Sequence, residues 1–203
     1  MTPQTETPHE IGTANIQLRR SINVPNAITL SRLLLAGVLF WIIDGGKHWQ
    51  LATWLFLIAA STDFVDGYIA RKYALVTVLG RIMDPFVDKI IICGAFVFLM
   101  DHPQSGVGPW MVIIIVGREM FVTSLRSFLE QQGKDFSASL SGKLKMLLQC
   151  AAVVACLVTM SATNSTQETL EPIRDGLLWT AVGVTVWSGA IYIVRAVQLL
   201  RSP

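Results

Sequence analysis

Four aspartates carry the most specific chemistry in the chain. Asp63 and Asp66 stand three residues apart, and Asp84 and Asp88 stand four apart. On a helix such residues share a face. Asp63, Asp66, Gly67 and Ala70 therefore form one stripe, and Asp84 and Asp88 form a second at the start of the next helix. A hairpin of about ten residues brings the two stripes together. Four like charges in a partly dehydrated place cannot all stay ionised alone: either some are protonated or a cation neutralises them. No His or Cys lies close by in the sequence. The oxygen-only donor set selects a hard ion, Mg²⁺ first, with Mn²⁺ or Ca²⁺ also fitting. Carboxylate-bound Mg²⁺ commonly keeps positions open for phosphate oxygens, and Arg71 is suited to a phosphate or a nucleotide. Gly67, Ala70 and Gly80 also suit close helix packing, and a single aspartate could serve a neighbouring Lys or Arg. Neither reading accounts for four carboxylates at this spacing, because intramembrane charge is costly.

The elements that must position them are apolar. The chain has 203 residues, 52% hydrophobic and 15% charged. A soluble domain carries about 25% charged residues, so a soluble globular enzyme and a disordered chain are both excluded. Cys93, Cys150 and Cys156 lie in apolar runs without framework or zinc-site spacing. The net charge of +2 is too small to imply a nucleic-acid partner.

A helix needs roughly 20 mostly apolar residues to cross a bilayer. Six such segments occur, at about 27–43, 49–70, 82–100, 109–130, 143–163 and 175–197, with breaks such as Lys72 to Gly80 and Asn164 to Arg174 between them. The pattern predicts an all-α integral membrane protein of six transmembrane helices. Its first, third and fifth connections hold only Lys47 and Arg174. The other side receives Arg19, Arg20, Arg71, Lys72, Arg81, Lys134, Lys143, Lys145 and Arg201. The positive-inside rule makes that side cytoplasmic and places both termini there; a multi-pass protein of the cell's inner membrane is the expected location. Arg32, Asp63, Asp66, Asp84, Asp88, Lys89, Arg118, Glu119 and Arg126 then fall at one depth. Charges inside a membrane usually line a cavity, so the helices are expected to surround a polar chamber open to the cytoplasm. Residues 1–21 read as a flexible cytoplasmic tail and 22–203 as the six-helix domain.

From Asp63 to Asp88 the pattern D-x₂-D-G-x₂-A-R-x₈-G-x₃-D-x₃-D is complete. It resembles the CDP-alcohol phosphatidyltransferases. Asn23-Val-Pro25-Asn26-Ala-Ile-Thr29-Leu-Ser-Arg32 is similar to the family's N-terminal segment. Gly117-Arg118-Glu119 with Ser124-Leu125-Arg126 resembles the fourth helix of its glycerol-3-phosphate-using members. Ser141-Gly142-Lys143-Leu-Lys145 resembles the start of their fifth helix, with Met146 where Thr is common.

The resemblance implies a cytoplasmic-side cavity, often in a homodimer. Asp63, Asp66, Asp84 and Asp88 would bind one or two divalent ions, which would hold the diphosphate of CDP-diacylglycerol. Gly67, Ala70, Arg71 and Gly80 would contact the nucleotide, with Pro25, Asn26 and Thr29 beside it, and Asp88 would also be the general base. The implied reaction is transfer of the phosphatidyl group to glycerol 3-phosphate, giving phosphatidylglycerol phosphate and CMP. The acceptor's phosphate needs cations: Arg118 first, as the deepest and best suited to bidentate contact, with Arg126 and Lys143 beside it and Glu119 to orient Arg118. Lys145 is a further candidate for that phosphate, but Lys134 and Lys145 read more readily as anchors against anionic lipid. Within the family the acceptor could instead be inositol phosphate, serine or phosphatidylglycerol. A cation transporter using the acidic cluster is the remote alternative, and it would need a polar route through the whole membrane.

Overall fold

The computed structural model describes residues 24–73, 78–132 and 140–201, and of these it places the side chains except at 24–29, 62–73, 78–85, 88, 130, 140–141, 164 and 201. The described residues form α1 (Val24–Gly45), α2 (Trp49–Tyr73), α3 (Val78–Met100), a 3₁₀ turn (Pro103–Ser105), α4 (Pro109–Gln131), α5 (Leu140–Ser161) and α6 (Asn164–Arg201). No strand occurs among them.

Each helix buries a stripe at helical spacing. Ala36, Leu39 and Ile43 do so on α1, Ala52, Phe56 and Ala59 on α2, and Ile91, Ala95 and Leu99 on α3. Ala36, Ala52, Ala59, Ala95, Ala152 and Ala181 are all fully buried. Small residues at contacts let backbones approach closely, as membrane helix pairs require. One contact is sharper still: a Cβ on Gly94 would run into the ring of Phe40. That ring stacks on Phe98 at 5.1 Å, so α1 seats on α3 where α3 has no side chain.

The outward faces are apolar. Leu34, Trp41, Trp54, Trp110, Leu147 and Trp179 are each more than half exposed. Apolar exposure on this scale marks a surface that meets something other than water. Among the described residues, Gly142–Ser161 and Ser165–Leu200 are long and apolar enough to cross a membrane, while Trp49–Ser61 and Lys89–Met100 are shorter apolar stretches.

The largest departure from the sequence expectation is the start of α6. The polar run from Asn164 to Arg174 reads as a break, yet it is helical. The carbonyl of Thr163 accepts from the backbone N–H groups of Thr166 and Gln167, and Gln167 donates to Glu171 one turn on at 3.3 Å. These local bonds start the helix early despite Pro172, which removes one backbone donor.

Arg174, read as a loop charge, is buried. Its Nη1 donates to the Gln104 carbonyl at 2.7 Å and its Nε to Asp175 at 2.8 Å. Gly106, at φ +74°, lies so close that a Cβ there would approach Arg174 Nε to 2.8 Å. The turn after α3 is thereby fastened to α6. At the same end, His102 shares a 2.8 Å hydrogen bond with the Ile43 carbonyl and meets Trp49 edge-on.

Candidate functional site

The acidic motif lies on α2 and α3. Asp63, Asp66, Gly67, Ala70 and Arg71 are in the last part of α2, and Gly80, Asp84 and Asp88 are in the first part of α3. Pro25, Asn26 and Thr29 are in the first turns of α1. The side chains of all these residues lie outside the described ones. The helices that carry them are in contact: α1 packs on α2 and α3, and α2 touches α3. Both aspartate pairs sit in unbroken helix, so each pair keeps one face. Residues 1–23 and Lys134 are outside the described residues altogether.

The basic half of the site is described atom by atom. α4 packs on α6 and α3, and α5 on α6, α2 and α3, rather than on one another. Across the space between them Lys145 of α5 donates to Oε1 of Glu119 on α4. Arg118 Nη1 donates to the same oxygen at 3.1 Å. The Arg118 guanidinium also lies over the ring of Tyr192 on α6, 5.4 Å from its centroid. Two glycines make room. A Cβ on Gly189 would stand 3.3 Å from Arg118 Cγ, and one on Gly142 would stand 3.3 Å from the Tyr192 hydroxyl. Cys93 of α3 is within electrostatic reach of Glu119, Lys145 and Lys89.

One edge of Arg118 is left over. Its Nε and Nη2 are buried and have no hydrogen-bond partner among the described residues. These two N–H groups form the side-on fork that binds phosphate or carboxylate bidentately. Leaving such donors buried without a partner costs about 1–3 kcal/mol each, so the edge calls for an acceptor from beyond the described residues. Arg126 lies two turns further along the same face of α4, half-buried, and its Nε also lacks a partner among the described residues. Lys143 is exposed.

Lys145 departs from the reading that the sequence favours. It reads as a lipid anchor, yet it is buried. A signal was available: Lys145 is in helical phase with Gln149, Ala152, Val153 and Cys156, all buried, whereas Lys143 is two residues out of phase. Gln149, one turn above Lys145, donates to Thr185 at 3.0 Å, so the polar lining continues up the α5–α6 seam.

A family model described as CDP-alcohol phosphatidyltransferase matches residues 22–187. The chain is 37% identical over 195 residues to the CDP-diacylglycerol–glycerol-3-phosphate 3-phosphatidyltransferase of Bacillus subtilis (strain 168), an alignment covering 89% of this chain and 98% of that one. It is 32% identical over 177 residues to the protein of the same name from Rickettsia prowazekii (strain Madrid E), covering 86% and 96%. A cardiolipin synthase (CMP-forming) of Oryza sativa subsp. japonica is 28% identical over 193 residues, covering 88% of this chain and 59% of that one. With the aspartate motif complete and the match running through five helices and into the sixth, the chain belongs to the CDP-alcohol phosphatidyltransferase family.

Proposed function

We propose that the chain transfers the phosphatidyl group of CDP-diacylglycerol to glycerol 3-phosphate, giving phosphatidylglycerol phosphate and CMP. The relatives that bear this activity in their names support it over nearly their whole length. The observation that carries the acceptor assignment is the Nε/Nη2 edge of Arg118, which has no partner among the described residues, on a guanidinium held by Glu119 and Tyr192. A phosphate-bearing acceptor satisfies that edge. Serine offers the edge a carboxylate monoanion, and phosphatidylglycerol a phosphodiester monoanion, whereas glycerol 3-phosphate brings a dianion to match the surplus positive charge.

The six helices cross the inner membrane, with the acidic motif and both termini at the cytoplasmic face. Exposed apolar side chains and two helices of full spanning length support the crossing, and the excess of Lys and Arg on the side that carries the motif supports the orientation. The substrate's reacting bond lies where its lipid tails meet its nucleotide head, so a chamber at that depth suits it.

In the reaction, the acceptor hydroxyl attacks the phosphorus that bears diacylglycerol. The P–O bond to CMP breaks and CMP leaves with the bridging oxygen. Asp88 takes the hydroxyl proton. Arg118 holds the acceptor phosphate, Arg126 adds positive charge toward the same end of α4, and Lys143 contributes from the solvent side. Gly67, Ala70, Arg71 and Gly80, with Pro25, Asn26 and Thr29, receive the nucleotide. Most of the acceleration comes from positioning and preorganised charge. The oxygen-only donor set of Asp63, Asp66, Asp84 and Asp88 fits a hard divalent ion, Mg²⁺ or Mn²⁺. When bound, such an ion offsets charge on the diphosphate oxygens.

The test is CMP release from CDP-diacylglycerol by purified protein in detergent with Mg²⁺, offering glycerol 3-phosphate, inositol phosphate, serine and phosphatidylglycerol in turn. Release that depends on glycerol 3-phosphate is expected. Preference for a phosphate-free alcohol would overturn the acceptor assignment. Ion flux in liposomes without CMP release would overturn the transferase reading.

A further inference from the structure

We propose that Lys145 is a positioning residue for the acceptor: by pairing with Glu119 across the space between α5 and α4, it fixes the carboxylate that holds Arg118. This inference rests on the acceptor carrying a phosphate monoester.

Three observations carry it. Lys145 and Arg118 converge on the same oxygen, Oε1 of Glu119. A carboxylate gripped from one side only would follow its own rotamers, and Arg118 would move with it. Gripped from α5 as well, it is tied to two helices. Secondly, α4 leans on α6 and α3, and α5 on α6, α2 and α3, instead of on each other. The pair therefore bridges a space and sets its width. Thirdly, the charges do not cancel. Among the described residues, two cations, each about nine-tenths buried, share one carboxylate, leaving a net single positive charge. Buried ion pairs are poor stabilisers compared with apolar packing. Such a surplus charge, beside two N–H groups without a partner among the described residues, is instead the arrangement that an arriving dianion completes.

Lys145 acts through Glu119, and the phosphate is bound by Arg118. The two roles separate in kinetics. A residue that positions the acceptor cradle changes KM for the acceptor and leaves KM for CDP-diacylglycerol alone. A residue that only supports the fold changes both or neither.

The experiment uses the full-length protein in detergent with Mg²⁺. It measures kcat and both KM values for wild type, Lys145→Met, Lys145→Arg, Glu119→Gln and the double variant Glu119→Gln/Lys145→Met. Lys145→Met is expected to raise KM for glycerol 3-phosphate by about tenfold or more, the scale of one lost charge-assisted hydrogen bond. KM for CDP-diacylglycerol stays as in wild type, and Lys145→Arg recovers most of the loss. The double variant is no worse than Glu119→Gln alone, because the two residues act as one unit.

An unchanged acceptor KM in Lys145→Met, or an equal rise in both KM values, overturns the proposal. So does full additivity in the double variant, which would mean that Lys145 touches the phosphate directly. Size-exclusion profiles and thermal unfolding check each variant. If Lys145→Met does not fold, Glu119→Gln, nearly isosteric, decides: no rise in acceptor KM there overturns the proposal as well. Wild type that rejects glycerol 3-phosphate but uses another phosphate-bearing alcohol defeats the function assignment only, and the same KM shift is then read on that acceptor. Wild type that uses only a phosphate-free alcohol defeats both.

Discussion

Lys145 and Glu119 form a buried ion pair between two helices, α5 and α4, that pack mainly on their common neighbours. A pair in this position holds a distance instead of reinforcing a contact. The side chain it holds most directly is Arg118, whose Nη1 shares the Glu119 oxygen.

Arg118→Lys keeps the charge but loses the planar fork and the stack on Tyr192. Its KM for glycerol 3-phosphate is expected to rise by roughly 10- to 100-fold, the scale of one or two charge-assisted hydrogen bonds. KM for CDP-diacylglycerol should hold. Initial rates of CMP release against both substrates check this, and an unchanged acceptor KM would remove Arg118 from the cradle.

Asp88→Asn cannot accept the hydroxyl proton. The rate of CMP release is expected to fall by about 10²- to 10⁴-fold, the range of general-base catalysis. Chelation of divalent ions should abolish wild-type release, and added Mg²⁺ should restore it. Activity that survives thorough chelation would sink the metal reading of the four aspartates.

Gly94→Ala places a methyl group in the Phe40 ring. Overpacking of this kind costs about 1–3 kcal/mol, read as a lower thermal midpoint in detergent. Phe40→Leu in the same chain should relieve part of the loss. A midpoint equal to wild type in Gly94→Ala would show that α1 and α3 separate easily at this point.

Arg174→Met leaves the Gln104 carbonyl and Asp175 without their guanidinium partner. Losing such partners costs about 1–3 kcal/mol. Faster amide exchange at residues 101–108 is expected, with CMP release kinetics like those of wild type, since Arg174 and Arg118 lie far apart along the bundle. Exchange equal to wild type would mean that Ser105, whose hydroxyl bridges the Leu99 carbonyl and the Val107 N–H, holds the turn unaided.

What the sequence disclosed depends on where each signal is stored. Asp63 to Asp88 is a contiguous pattern with fixed spacing, so both the family and the oxygen-donor chemistry can be read along the chain. The helices are equally legible, because their apolar runs alternate with Gly, Pro and charge. Lys145 was misread because a lysine near the cytoplasmic end of a span has two outlets, headgroup or chamber. Helix phase decides between them: at 3.6 residues per turn, Lys143 and Lys145 point to nearly opposite faces, and one is exposed while the other is buried. Arg174 was misread because the early start of α6 rests on hydrogen bonds at Thr163 and Gln167, which leave no hydropathy signal. The partnership of Arg118 with Tyr192, 74 residues away in the chain, is a product of packing and has no local trace.

Helix α6 carries two well-separated polar attachments on one rigid rod. Arg174 grips the turn after α3 near one end, and Tyr192 lies under Arg118 toward the other. The rise of an α-helix sets them roughly 27 Å apart, close to the hydrocarbon thickness of about 30 Å in a typical bilayer. The rod is thus a ruler for the lipid around it. In a thicker membrane the lipids must thin locally or a polar end must enter hydrocarbon, at a cost of fractions of a kcal/mol per Å. That hydrophobic mismatch bears on the platform beneath Arg118, so an enzyme that makes membrane lipid is mechanically exposed to the thickness of the membrane it makes.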